Sequence, residues 1–440
     1  GRCILKLLQP TAGEIVFDGQ PVQEENWASP PFQPTLLDAP LGEGGQPINP
    51  ETVDGAFGPE WRLYARSAGD DKMPIIAIIH ALDALRAWEL VRDLKHATAK
   101  PAAASFKHVS PAGAAVFGES DTLSDDFCKA HFYPAPADHD YSPIAAAYAR
   151  ARSSDRVASF GDFIAVSEVV DSSLAKLIKP EVSDGIIAPG YDDEAKQLLA
   201  AKKGGKYVML QIDPGYAPGG HVESRTCFGL TLEQDYNDCA IDADLLKNVV
   251  TANTDLPGEA VEALLVATAA IKHTQSNSIG VALGGQAVGI GAGQQSRIAC
   301  TRLACDKADR FLLKQHPKSL ALIDLFKPGT GRPEKVNALD QFTRYHELDE
   351  TELAELHAVL TAKPDPISRD EALAWCASFG SLALSSDAFI PFRDNLDRAQ
   401  RSGVKYVLHA GGSARDDLVT DAANDHGMVM ALSGLRLFLH

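Results

Sequence analysis

AVGIGAGQQSRIACTRLACDKADRFLL, residues 287–313, carries the clearest fold signal in the chain. It opens on apolar, partly β-branched residues, which suits a buried strand. Three glycines follow within five positions (Gly289, Gly291, Gly293). From residue 297, Ile298, Leu303, Ala304, Ala308, Phe311 and Leu312 recur on one side of a helix. A strand that enters a glycine-rich loop and leaves as a helix is the unit of layered α/β architecture. Arg297 falls in the first turn, where free N–H groups, the helix dipole and a guanidinium together would hold an anion. A tight turn with a surface arginine fits the same residues. The glycines do not spell GxGxxG, because position 294 is Gln, so a dinucleotide fingerprint is not expected.

The alternation continues outward from this stretch. Strand-like runs fall at 75–79, 102–106, 157–160, 164–166, 207–212, 279–283 and 406–409. Helix-like runs fall at 81–96, 144–152, 192–203, 258–272, 350–360, 368–378 and 415–426. Strands alternating with helices of ten or more residues give an α/β fold. The polar stretch 328–349 reads as a surface connection. Residues 1–72 read differently: positions 29–59 hold seven prolines and no sustained period, a loop or linker composition. The expected organisation is an N-terminal segment (1–72) followed by two units, 73–250 and 251–440.

Composition narrows the chemistry. At 440 residues, 45% of them hydrophobic and 23% charged, the chain can build a large core. Its net charge of −18 argues against nucleic acid or an anionic membrane as partner, since phosphates need basic patches. No run approaches the roughly 20 apolar residues of a membrane span. Residues 1–14 show no signal-peptide core, and the cysteines, odd in number at 7, are scattered without a CxxC. A cytoplasmic protein without disulfides or a structural metal is expected.

Several clusters could carry chemistry. At Lys107-His108-Val109-Ser110-Pro111, an apolar strand ends in an ammonium and an imidazole. The first can stabilise an oxyanion and the second can move protons near neutral pH. A surface lysine beside a core histidine is the plainer alternative. Around Ser385–Asn395, Phe389 and Phe392 beside Pro391 could form a slot for a flat heterocycle, or simply core. Arg436 lies in an otherwise apolar C-terminal strand, where a buried arginine calls for a carboxylate or a ligand. The motifs of zinc deaminases, nucleophile-elbow hydrolases and HExxH metalloproteases are absent.

Taken together, FKHVSPAGAAV (106–116), SPIAAAYARARSSDRVASFGDFIAVSEVVD (142–171), EVSDGIIAPGYDDEA (181–195), QSNSI (275–279), GIGAGQQSRIACTRLACDKA (289–308), SSDAFIPFRDN (385–395) and GLRLF (434–438) resemble one family. It is the transformylase part of the bifunctional purine-synthesis enzyme, 5-aminoimidazole-4-carboxamide ribonucleotide (AICAR) formyltransferase. The resemblance runs from about Asp83 to His440. It implies two cytidine-deaminase-like α/β/α units in one chain, in a homodimer with active sites at the interface. It implies formyl transfer from the cosubstrate 10-formyltetrahydrofolate to the 5-amino group of AICAR, giving the formamide FAICAR. By resemblance, Lys107 and His108 are catalytic, and Gly161, Asp184, Asn277, Arg297, Phe389 and Arg436 bind the nucleotide. Ile298, Asp394, Asn395, Ser413 and Ala414 lie around the folate, and no metal takes part.

The sequence also departs from that family. These residues show no counterpart of the family's cyclohydrolase domain, so ring closure by them is not expected. The family's LRYGxNPHQ segment should precede Met73; only Trp61-Arg62-Leu63-Tyr64-Ala65-Arg66 stands there. The loop expected between the 75–79 strand and Asp83 is shortened to Ile79-His80-Ala81-Leu82. Ile390 replaces a usual aromatic, and Leu439 departs from a His-His ending. GRCILKLLQPTAGEIVFDGQPV (1–22) resembles ATP-binding subunits of peptide ABC transporters just past the phosphate loop, but the loop itself is absent, so no nucleotide binding is expected. A folded remnant that binds without turnover is the alternative to an active transferase.

Overall fold

The computed structural model describes residues 73–216, 222–227 and 230–439, together with five short strands upstream. Residues 1–79 and 80–440 form two compact units. In the first, Val16–Phe17 pairs with Gln20–Pro21, and Thr35–Leu37 pairs with both Pro47–Ile48 and Arg62–Tyr64. These strands fall where the sequence reads as linker. The rest of the ABC-transporter-like stretch and of the Trp61–Arg66 region lies outside the described residues.

The second unit is built on one ten-stranded sheet. Its first half comprises β1 (Ala102–Lys107), β2 (Ser110–Val116), β3 (Asp162–Val166), β4 (Ser183–Ala188) and β5 (Val208–Gln211). An antiparallel hairpin outside this sheet follows, β6 (Val222–Cys227) and β7 (Leu230–Asp235). The second half comprises β8 (Ile279–Leu283), β9 (Gln286–Gly291), β10 (Leu382–Ser386), β11 (Val404–His409) and β12 (Val429–Leu432). The order across the sheet is β5-β4-β3-β1-β2-β9-β8-β10-β11-β12. Each half is thus a hairpin followed by strands added outward, parallel to one another and antiparallel to the hairpin's first strand. The two halves meet at β2 and β9, paired at Gln286 and Ala115 and closed by the Val116 N–H to Gly285 carbonyl bond of 2.7 Å.

Helices cover both faces. On one lie α1 (Met73–Thr98) and α6 (Gly258–Lys272). On the other lie α2 (Asp125–Ala130), α3 (Pro143–Ser153), α4 (Ser172–Ile178), α5 (Asp193–Ala200), α7 (Arg297–Leu313), α8 (Pro317–Ile323), α9 (Arg332–Phe342), α10 (Glu350–Ala358), α11 (Arg369–Ser378), α12 (Asp394–Arg401) and α13 (Asp416–Asp425). The strands serve both layers through their period of two. In β3, Ile164 and Val166 join the α3 side while Phe163 and Ala165 join the α1 side. In β10, Leu382 and Leu384 oppose Ala383 in the same way. Because both faces are covered, these strands read as continuous apolar runs.

The architecture is the expected α/β, with four local corrections. Residues 75–79 are helical, inside α1, so the loop expected before Asp83 does not exist; a five-residue apolar run has no period to separate strand from helix. Residues 157–160 form a turn with Val157 and Phe160 exposed, and β3 starts only at Asp162. The stretch 328–349 contains α9, started by Pro333 in its first turn and anchored by Ala338, Leu339 and Phe342. Arg436 is exposed in irregular backbone after β12, not buried in a strand. The described cysteines whose side chains are placed are all free thiols.

Candidate active site

The strand directions bring the expected site residues to one edge of the sheet. β1 ends there at Lys107, beside the starts of β3 and β4, where Gly161 and Asp184 lie. Across the β2–β9 joint, Asn277 precedes β8 at the same edge, and Arg297, Phe389 and Ser413 follow β9, β10 and β11 there. The residues form two groups. Three inter-strand spacings, roughly 14 Å, separate β1 from β8.

The first group centres on a two-residue turn. His108 and Val109 both have positive φ, 55° and 60°, the signature of a type I′ hairpin turn that normally selects Asn-Gly. A β-branched valine in that region is strained, on the order of 1–3 kcal/mol. Asp83, buried at the end of the turn, accepts the Val109 N–H at 2.6 Å and holds the conformation. His108 projects exposed from the turn tip, and Lys107 donates to the Phe160 carbonyl at 2.6 Å. Below them, Arg152 pairs with Asp162 at 2.7 Å, and Asp162 also accepts from Ser105 Oγ at 2.6 Å, all buried. Gly161, at φ 75°, leads into β3, and Asp184 pairs with Lys203 at 2.5 Å.

The second group centres on Asp387. Its fully buried carboxylate accepts from the Arg297 guanidinium, from Ser276 Oγ at 2.6 Å and from the Ser278 N–H at 3.0 Å. Arg297 also donates to Asn277 Oδ1 (2.8 Å) and the Ser278 carbonyl (3.0 Å), and Ser296 caps α7. The expected anion cradle is therefore largely closed. The N–H groups of Gly293 and Gln294 are spent on the carbonyls of Gln275 and Asn277. Gly289 and Gly291 serve packing: a Cβ on Gly289 would stand 2.1 Å from the Ala304 carbonyl oxygen of α7. One exposed cation of this half-edge is Arg436. Its neighbour Leu437 donates its N–H to the Asp387 carbonyl at 2.8 Å, which brings the C-terminal segment to this group.

The residues expected around the folate surround the same half-edge. Ile298 is the second residue of α7, Asp394 opens α12 exposed, and Ser413 and Ala414 sit in the loop after β11. Asn395 is turned inward: it donates to Asp394 at 2.9 Å and the Phe392 carbonyl at 3.1 Å, and accepts from Thr301 at 2.8 Å. It positions Asp394. Of the expected aromatic slot, Phe389 is half-buried, and the exposed Phe392 lies under Arg415, 4.9 Å from ring centroid to guanidinium carbon.

Three residues were missed in the sequence: Asp83, Asp387 and His409. Only Asp387 carried a signal, an acid inside an apolar motif. His409 is buried, and its Nδ1 accepts the N–H groups of Ile390 (3.3 Å) and Gly411 (3.2 Å). Burial, with Arg297 adding to it against Asp416, depresses its pKa to about 4, which keeps the ring neutral. Among the described residues, no group of three or more His, Cys, Asp or Glu side chains could hold a metal ion, and no helix is long and apolar enough to cross a membrane.

The family model described as AICARFT/IMPCHase bienzyme matches residues 76–307, more than half of the chain. The chain belongs to this family. Members similar to it include a bifunctional purine biosynthesis protein PurH of Magnetococcus marinus, 32% identical over 360 residues, covering 81% of this chain and 51% of the relative. The protein of the same name from Cereibacter sphaeroides is 31% identical over 298 residues, covering 68% and 45%. The chain spans about half the length of the curated AICARFT/IMPCHase relatives it matches. Within the family match lie Lys107, His108, Gly161, Asp184, Asn277, Arg297 and Ile298; Phe389, Arg436 and the remaining folate-side residues lie beyond it.

Proposed function

We propose that this chain transfers the formyl group of 10-formyltetrahydrofolate to the 5-amino group of AICAR, within purine biosynthesis. Membership of the AICARFT/IMPCHase family, together with an exposed His108 beside Lys107 on a pinned turn, supports the reading. The amine attacks the formyl carbon, a C–N bond forms, and the carbonyl oxygen becomes a tetrahedral oxyanion. Collapse breaks the bond to N10, which takes up the proton that the amine loses. The Lys107 ammonium stands for the oxyanion, and His108 for the proton transfer, through the neighbouring carboxamide. Arg297, Asn277, Phe389 and Arg436, with Gly161 and Asp184, hold the nucleotide, and Ile298, Asp394, Ser413 and Ala414 line the folate side. Because the two groups lie on separate parts of one edge, we take the working site to need a homodimer. The repeated strand order supports reading 73–250 and 251–440 as its two units.

One observation favours the alternative of an impaired remnant with weak binding: Arg297 already spends its guanidinium on Asp387, Asn277 and Ser278. Tetrahydrofolate release from purified protein given both substrates decides between the two. AICAR-dependent release should fall by about 10²–10⁴ in both His108→Ala and Lys107→Ala with little change in substrate binding. A folded protein without such release would leave only binding.

A further inference from the structure

Asp83 is an acid where the pattern of α1 calls for an apolar residue. Ala84, Ala87, Trp88 and Val91 are buried on the sheet side of the helix, in one apolar cluster with Ala104, Phe106 and Ala114 of the β1–β2 hairpin. Asp83 falls on that side too, 4% exposed and one turn before Ala87. A carboxylate in such a place costs free energy unless its oxygens are used. Oδ1 accepts the Val109 N–H at 2.6 Å, from a residue 26 positions along the chain.

That bond lands on the turn that carries His108. Lys107 and Ser110 close the hairpin as partners, which leaves His108 and Val109 as its two-residue tip. Both have positive φ, 55° and 60°. This conformation suits Asn-Gly and opposes a β-branched residue. Nothing in the His-Val sequence selects it, so the tip is held from outside. His108 is exposed, and the backbone beneath it aims the imidazole. Lys107 has a tether of its own, the Phe160 carbonyl at 2.6 Å. Neighbours on a strand point to opposite faces; a left-handed residue directly after Lys107 ends that alternation and lets both side chains serve one cleft.

We infer that Asp83 is a positioning residue for His108, a role that rests on the formyl-transfer reading of that histidine. From α1 it fixes the left-handed turn that presents the imidazole next to Lys107. It touches no reacting atom; it keeps the proton-transfer group in its working geometry.

Three substitutions in the whole chain separate the hydrogen bond from the fold and from the chemistry. Asp83→Ala removes the acceptor, Asp83→Asn keeps a carbonyl oxygen for the Val109 N–H, and Val109→Gly lets the turn form unaided. Hydrogen exchange at the residue 109 amide, read by NMR, should speed up at least about tenfold in Asp83→Ala and change less than about threefold in Asp83→Asn. A hydrogen bond to a charged acceptor shifts a population by about 10–100-fold, so kcat of Asp83→Ala should fall by about that factor. KM for AICAR and for 10-formyltetrahydrofolate should move less than about threefold. Adding Val109→Gly to Asp83→Ala should recover most of the lost kcat, which a merely structural role for Asp83 would not allow. Unchanged exchange or unchanged kcat in Asp83→Ala, a KM rise in place of the kcat loss, or no recovery in the double variant would overturn this role. If the unsubstituted chain releases no tetrahydrofolate, the formyl-transfer reading fails, and the exchange rates alone decide whether Asp83 holds the turn.

Discussion

Asp387→Asn tests the hub on which the second half-edge is built. Asp387 is fully buried and accepts from Arg297, Ser276 and Ser278. An amide keeps one acceptor oxygen. Turned toward Arg297, its NH2 faces the Ser278 N–H; turned toward Ser278, it faces the guanidinium. Either way a donor meets a donor, and the buried guanidinium loses its counter-charge. Removing one partner of a buried ion pair costs about 3–5 kcal/mol, and the lost charge-assisted hydrogen bond about 1.5–3 kcal/mol within that figure. Urea unfolding followed by circular dichroism should therefore show a loss of about 3–5 kcal/mol. In an Arg297→Met background the same substitution should cost far less, giving a coupling of at least about 2 kcal/mol. A loss below about 1 kcal/mol, or additive effects of the two changes, would show that Asp387 does not hold Arg297.

Other consequences follow from the same geometry. Gly289→Ala would put a Cβ 2.1 Å from the Ala304 carbonyl oxygen, so α7 must lift off β9; a loss of at least about 1–3 kcal/mol in the same unfolding measurement is expected. His409 has a folded pKa of about 4, below the unfolded value near 6.5. Its contribution is complete above pH 6.5 and is lost as pH falls toward 4, because the unfolded chain binds the proton first. That gives a decline of up to about 3 kcal/mol over the window, which His409→Gln should flatten. Val109→Gly should stabilise by about 1 kcal/mol, against the usual cost of glycine, because it relieves a positive φ at a β-branched residue; thermal unfolding reads it.

Much of this was legible in the residues. α6 and α7 begin and end where the 3.6-residue pattern predicts, and β8 where the apolar run lies, because these segments are long or bounded by glycines. β2 was not among the strand-like runs of the sequence, because Pro111 and Gly113 interrupt its apolar pattern. Its residues form a strand by pairing with β1, and glycine at 113 lets α3 approach, since a Cβ there would fall 2.0 Å from the Ala151 carbonyl oxygen. The N-terminal part of α1 read as a strand because a short apolar run fits either period.

The sequence by itself determined the layered α/β class, most of the helices and the family to which the chain belongs. Those depend on periodicity and on collinear motifs, which are local. The tertiary structure alone decided that the site residues fall into two groups on one edge, and that Arg297 is already bound to Asp387, 90 positions away. It also decided that Arg436 is exposed and that arginines from α3, the turn after it and α9 crowd around Glu181. Strand order and long-range pairing set which charges neutralise one another, and no local pattern encodes that balance.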